Sequence, residues 1–313
     1  MTTFLTALIA VGVLLLTAAP GFILIRRRMI DEACIPGLSK ILLYVCQPCL
    51  FVYSLKSTAF SAEKLAHMGI FALLVLVLHA VMLGGVFLLL RKRGRTDVFC
   101  RIATVASAFG NCAFFGIPII EALMPDIASE LIVYTAVYAF VMNVLGWTVG
   151  SAVISGNPGY IKLKKVILNP ATIGAAVAMF LFCLQIPLPA DLFSMVTTVG
   201  RMSSAVSMLI MGMRLGTMNL GRIFLRIRTY PVIFVKQCVM PAVAFALVFF
   251  LPLDMHVKRT FFITSACPVA SIVLNFSEIL GEGQDDAASL VLLGTMLSTV
   301  TLPFMSLLLP FLQ

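Results

Sequence analysis

Asn111, Cys112 and Pro118 stand together in the run FGNCAFFGIP, residues 109–118, with Gly110 and Gly116 among them. Pro268, Ser271 and Asn275 stand in a second run, SACPVASIVLN, residues 265–275. Both runs lie inside apolar segments. Neither contains a carboxylate or a histidine, so acid–base and metal chemistry are poor matches for them. What they do contain is uncharged polar side chains and the residues that break helices. Proline removes a backbone donor and clashes with the preceding turn, and glycine tolerates angles that other residues do not. A broken helix exposes a new N-terminus carrying about half a positive charge, which suits a carboxylate. The expected chemistry is therefore recognition of an anion.

Further candidates are single charged or titratable residues. Arg201 sits centrally in TTVGRMSSAVSM, and Lys236 about eight residues into another apolar segment. An intramembrane charge is costly and usually functional; Arg201 would contact an anionic substrate or neutralise helix C-termini, and Lys236 would act in the site or snorkel to the surface. His79, in LLVLVLHAVML, would relay a proton or serve as a hydrogen-bonded structural histidine. In CQPC, residues 46–49, Pro48 is the feature to follow rather than the thiols. The sequence contains no nucleotide-binding loop, no HExxH and no Cys/His metal cluster, so no enzyme and no cofactor is expected. A coupling H⁺ or Na⁺ stays open.

The elements that must position these residues are membrane helices. The chain has 313 residues, 61% of them hydrophobic and 11% charged, with a mean hydropathy of +1.09. Soluble domains are about half apolar and about a quarter charged. This composition gives an all-α polytopic membrane protein. Ten apolar segments can be drawn, at residues 3–25, 37–55, 66–90, 101–123, 130–154, 169–186, 191–213, 229–251, 260–280 and 287–311. The net charge of +9 belongs to loops, not to a nucleic-acid surface. Odd-numbered loops hold sixteen Lys and Arg, including Arg91, Arg95, Lys162, Arg214 and Arg226; even-numbered loops hold four: Lys56, Lys64, Lys258 and Arg259. The odd loops are expected to be cytoplasmic, which places both termini outside. The ninth loop departs from the trend with Glu278, Glu282, Asp285 and Asp286.

A shift of 157 residues superposes the two chemical runs. It pairs Asn111 with Pro268, Pro118 with Asn275 and Glu121 with Glu278. Each run sits centrally in the fourth segment of five. Two five-helix halves must insert with opposite orientation, which is the plan of many secondary transporters with discontinuous helices at the repeat interface. The expected organisation is residues 1–154 as the first repeat, 155–168 as a short cytoplasmic linker and 169–313 as the second, inverted repeat, with helices 4 and 9 broken and crossing. The small-residue spacings Gly146–Gly150 and Gly212–Gly216 point to close helix packing.

GNCAFFGIP, CPVASIVLNFSEILG and the proline-centred YVCQPCLF resemble the corresponding motifs of the auxin efflux carrier family, and the resemblance covers essentially the whole chain. It implies an elevator-type secondary carrier with a scaffold of spans 1, 2, 6 and 7 and a transport unit of spans 3–5 and 8–10. It implies organic-anion substrates: indole-acetic acid in plants, malate or malonate in bacteria. The short loop between spans 5 and 6 looks like a compact bacterial-type member. The expected function is transport of a small mono- or dicarboxylate across the cytoplasmic membrane, with Asn111, Cys112, Pro118, Pro268, Ser271, Asn275 and Arg201 at the substrate site. The expected partners are that anion and the bilayer, with a homodimer as an open assembly and no nucleic acid. An anion channel and a non-transporting sensor or regulatory subunit are the alternatives.

Overall fold

The structure is a computed structural model that describes residues 2–94, 96–160 and 163–312. Arg95 and Lys162, two of the cations counted for orientation, lie outside the described residues. All regular elements among the described residues are helical. The chain opens on α1 (Thr2–Leu16) and α2 (Ala19–Arg26), a rod interrupted just ahead of Pro20. α3 (Ile35–Ile41) runs through a π-turn at residues 42–46 into α4 (Gln47–Lys56). The turn lies immediately before Pro48, whose ring cannot sit under the carbonyl four residues back, so the ladder widens there. α5 (Ala62–Leu90) has no such residue, begins on a Ser61 cap and stays continuous.

α6 (Val98–Ala106) and α7 (Gly116–Leu123) are separated by nine residues of broken helix. α8 (Ala128–Leu145) continues through a second π-turn at Gly146–Gly150 into α9 (Ser151–Ser155). Then come α10 (Leu163–Ile167), α11 (Pro170–Cys183), α12 (Ala190–Thr217) and α13 (Leu220–Leu225). α14 (Thr229–Phe234) and α15 (Met240–Phe249) join through a third π-turn, ahead of Pro241. α16 (Met255–Ala266) and α17 (Ile272–Leu280) are again broken apart, and α18 (Gln284–Ser306) ends the bundle.

Seven helical stretches among the described residues are long and apolar enough to cross a membrane: Thr3–Arg26, Glu32–Lys56, Ala62–Leu90, Pro125–Ser155, Ala190–Thr217, Thr229–Phe249 and Gln284–Phe311. The other three apolar segments of the sequence are not continuous helices of spanning length. The fourth and ninth are interrupted, and the sixth is α11, whose 14 residues reach only about 21 Å at ~1.5 Å per residue. The hydrocarbon core is about 30 Å thick.

α2, α4, α11 and α12 pack most extensively on one another, and glycine makes the approach possible. Gly212 backs onto the Ala18 carbonyl and Gly21 onto the Leu209 carbonyl, each so closely that a Cβ would overlap backbone. Gly174 does the same against Pro48. The spacing Gly212–Gly216 thus marks the α12 face that receives α2. The breaks lie among α5, α8, α14, α15 and α18, and residues 102–110 and 261–270 are buried throughout. By contrast Leu5, Ile9, Val13 and Leu16 of α1 form an exposed apolar stripe at helical spacing, the surface a lipid-facing helix presents.

The acidic ninth loop shares one end of the molecule with basic odd-numbered loops. Arg101 pairs with Glu282 at 3.1 Å, Arg226 with Asp285 at 3.1 Å and also with Asp286, and Arg214 with Glu278. Its departure from the charge trend is a local neutralisation of those arginines.

Candidate functional site

α6 is launched by Asp97, whose carboxylate accepts the Phe99 N–H at 2.9 Å. It unwinds after Ala106, where the Ser107 hydroxyl donates to the Ala103 carbonyl at 2.7 Å. The extended chain that follows does not leave its backbone groups bare. The Asn111 N–H donates to the Pro268 carbonyl at 2.7 Å, and the Ala270 N–H donates to the Phe109 carbonyl at 3.0 Å. Gly110 and Val269 face each other in an isolated antiparallel bridge. The two breaks therefore satisfy each other, as buried backbone must. Gly110 gives this contact its closeness: a Cβ there would lie 3.0 Å from Lys236 Nζ and 3.3 Å from the Cys267 carbonyl oxygen, a tight fit that the lysine end would have to yield to.

Lys236 projects inward from the π-turn between α14 and α15. It is fully buried and donates to the Ser265 carbonyl at 2.7 Å and the Cys267 carbonyl at 2.8 Å. These carbonyls close the C-terminal end of α16, where acceptors lack helical partners and the helix dipole is negative. Lys236 caps the break rather than snorkelling away from it. His79 Nδ1 contacts the Val75 carbonyl at 2.8 Å, and its ring packs between Phe109 and Tyr138.

The first-turn N–H groups of the distal half-helices are largely used internally. Phe115 and Gly116 donate to the Asn111 carbonyl, Ile117 to that of Ala113, and Val273 to that of Ala270. What opens outward is side chains. Within the two breaks, Asn111, Ser271 and Asn275 are partly exposed while nearly all their neighbours are buried. These three line two adjoining cavities. One, of about 40 Å³, is completed by Ser207, Met211 and Arg214 of α12. The other, of about 100 Å³, is completed by Gln47, Cys112, Asn143 and Asn169. Each has room for a few waters.

Of the residues singled out in the sequence, Asn111, Cys112, Ser271 and Asn275 are thus brought together. Pro118 and Pro268 line neither cavity; Pro268 supplies the carbonyl that holds Asn111. Arg201 also lines neither. It donates to the Tyr53 hydroxyl from Nε at 3.2 Å and from Nη2 at 2.9 Å, and reaches Glu121 at 3.4 Å. Its side chain is 62% exposed. The sequence reading missed Gln47, Asn143, Asn169 and Arg214. The first three are amides inside or at the edge of apolar segments, the signal that found Asn111. The Gln47 Oε1 is buried without a hydrogen-bond partner among the described residues. Arg214 follows directly on the apolar segment 191–213, where its charge reads as a loop cation.

The arrangement offers amide and hydroxyl donors around a small volume between two helix breaks, with one cation at its edge. It suits reversible binding of a small anion. A family model described as membrane transport protein matches residues 6–165 and 159–306. Comparison with curated proteins finds no match.

Proposed function

The chain belongs to the membrane transport protein family, that of the auxin efflux carriers, and from that premise we propose that it is a secondary active transporter of a small organic anion. The observation that carries this reading is the mutual backbone pairing of the breaks, Asn111 N–H to Pro268 carbonyl, with Asn111, Ser271 and Asn275 left facing the cavities. Amide and hydroxyl donors bind a carboxylate without holding it too tightly to release. Cys112 contributes shape, and Pro118 and Pro268 keep the breaks open. The substrate is a mono- or dicarboxylate of the size of malate or malonate.

Transport follows an elevator-type cycle. α1 to α4, α11 and α12 form the stationary scaffold, and the two broken helices with α5, α8, α14, α15 and α18 carry the anion along it. The two cavities at Asn111, about 40 and 100 Å³, are far below the ~300 Å³ of an open ligand pocket, which fits a state in which the site is closed around little more than water. In this reading the chain makes ten spans in two inverted repeats, residues 1–154 and 169–313 joined by residues 155–168, in the cytoplasmic membrane with both termini outside, the side favoured by the basic odd-numbered loops.

A thermal-stability screen of the purified protein against mono- and dicarboxylates tests the reading. Ligand that binds only the folded state stabilises it in proportion to RT ln(1 + [L]/Kd). At least one carboxylate is expected to raise the melting temperature of the wild type and not of Asn111→Ala. A screen in which no carboxylate stabilises the wild type contradicts it.

A further inference from the structure

We propose that Arg214 is the residue that receives the carboxylate of the transported anion, and that Glu278 is its resident counter-ion until the anion arrives. This rests on the reading of the cavities as the transport site. Arg214 is the one cation among the described residues that line either cavity. Arg201, the cation that stands out in the sequence, is held by Tyr53 and Glu121 and faces neither.

The placement is periodic on both sides. Ser207, Met211 and Arg214 recur at i, i+4 and i+7 on α12, so they share one helix face. Ser271, at the start of α17, is followed at the same spacing by Asn275 and Glu278. Of these six, Ser207, Met211, Arg214, Ser271 and Asn275 line the smaller cavity, and Arg214 and Glu278 close the two ladders with an ion pair. The pair is half withdrawn from water: the Arg214 side chain is 19% exposed and that of Glu278 39%.

An incoming carboxylate can therefore replace the Glu278 carboxylate on Arg214 without leaving a cation bare. Guanidinium presents paired N–H donors that match either carboxylate. Exchange of one carboxylate for another keeps Arg214 paired throughout, the released Glu278 carboxylate turning to solvent from a side chain already 39% exposed, and it frees α17 from α12 at the moment of loading. Glu121, the repeat partner of Glu278, holds Arg201 on the same helix 13 residues earlier. Arg201 differs in being held also by Tyr53.

A purely structural tether and a competing counter-ion predict opposite signs for one variant. Malonate binding to the purified protein is measured by calorimetry, with malonamide as the neutral isostere. Arg214→Gln is expected to weaken malonate binding by at least about tenfold, the scale of a charge-assisted hydrogen bond, with Arg214→Lys between. Glu278→Gln is expected to tighten it by several-fold, because nothing then competes for Arg214. Malonamide binding moves with neither. If Arg214→Gln does not fold, Arg214→Gln/Glu278→Gln removes both charges and is expected to show the same loss. Wild-type malonate binding that depends on Asn111 but is unchanged in Arg214→Gln or the double variant, or weakened in Glu278→Gln, overturns the role of Arg214 and leaves the site standing. Absence of Asn111-dependent malonate binding in the wild type overturns both.

Discussion

Lys236 spends its charge on two carbonyls, those of Ser265 and Cys267, at the point where α16 stops. A buried acceptor that loses its partner costs about 1–3 kcal/mol. Lys236→Met is therefore expected to lower the thermal stability of the detergent-solubilised protein by that order, and Lys236→Gln, which keeps a donor, by less. Equal melting of Lys236→Met and wild type would show that the cap contributes nothing. This role was not legible in the sequence, because the partners are backbone groups 29 and 31 residues away. Arg201 misled in the opposite way. It stands mid-segment in the sequence, yet its length carries it to Tyr53 and Glu121. Asn111, Ser271 and Asn275 were legible because a polar side chain beside a helix breaker has few other reasons to sit in an apolar run. Gln47 and Asn169 carry a similar signal, being flanked by Pro48 and Pro170.

The helices succeed or fail as packing surfaces, and glycine decides which. Gly212→Ala would drive a Cβ into the Ala18 carbonyl, which is backbone and cannot step aside. Gly84→Ala, inside α5, would meet nothing within 4 Å and gains helix propensity of about 1 kcal/mol. The first is expected to melt well below wild type and the second at or above it; the reverse order in a thermal-unfolding assay would refute the packing described for α2 and α12. Gly110→Ala is expected to cost less than Gly212→Ala, since its Cβ would press at 3.0 Å on the movable end of Lys236 and not into backbone. At this scale the sequence was informative where periodicity is interrupted. Pro118 with its two glycines, and Pro268, announced breaks in segments four and nine. The 157-residue shift paired Asn111 with Pro268, and these two residues face each other through a backbone hydrogen bond. The antiparallel bridge itself centres on Gly110 and Val269, a register two residues longer than that shift. The shortness of α11 was not legible, because apolar residues continue to Ile186 past the helix end at Cys183.

Across the whole molecule, the charges gather into clasps at one end. Arg101, Arg214 and Arg226 meet Glu278, Glu282, Asp285 and Asp286, and Arg228 meets Asp97. Burial alone would raise the Asp97 carboxyl, but the Arg228 hydrogen bond, the Phe99 N–H and the Arg228 charge outweigh it and hold it below the ordinary value. A depressed carboxyl contributes stability above its unfolded pKa, near pH ~4, and loses that contribution as pH falls through the folded value. Asp97→Asn keeps a capping side chain and loses the pair. It is expected to cost no more than about 1 kcal/mol at neutral pH, as exposed pairs do, and to flatten the acid limb of a stability–pH profile; an unchanged acid limb would show that the pair is idle. The clasp was invisible to loop counting, which weighs Lys and Arg and treats acidic residues as bystanders. The central claim is that an anion crosses at the meeting point of the two breaks by exchange, not by free flow. Counterflow tests it most directly: proteoliposomes loaded with unlabelled malonate or malate take up the labelled anion. Saturable uptake stimulated by internal anion in the wild type, and abolished in a folded Asn111→Ala, is the predicted result. Uptake by Asn111→Ala equal to wild type, or wild-type flux indifferent to internal anion, would contradict it.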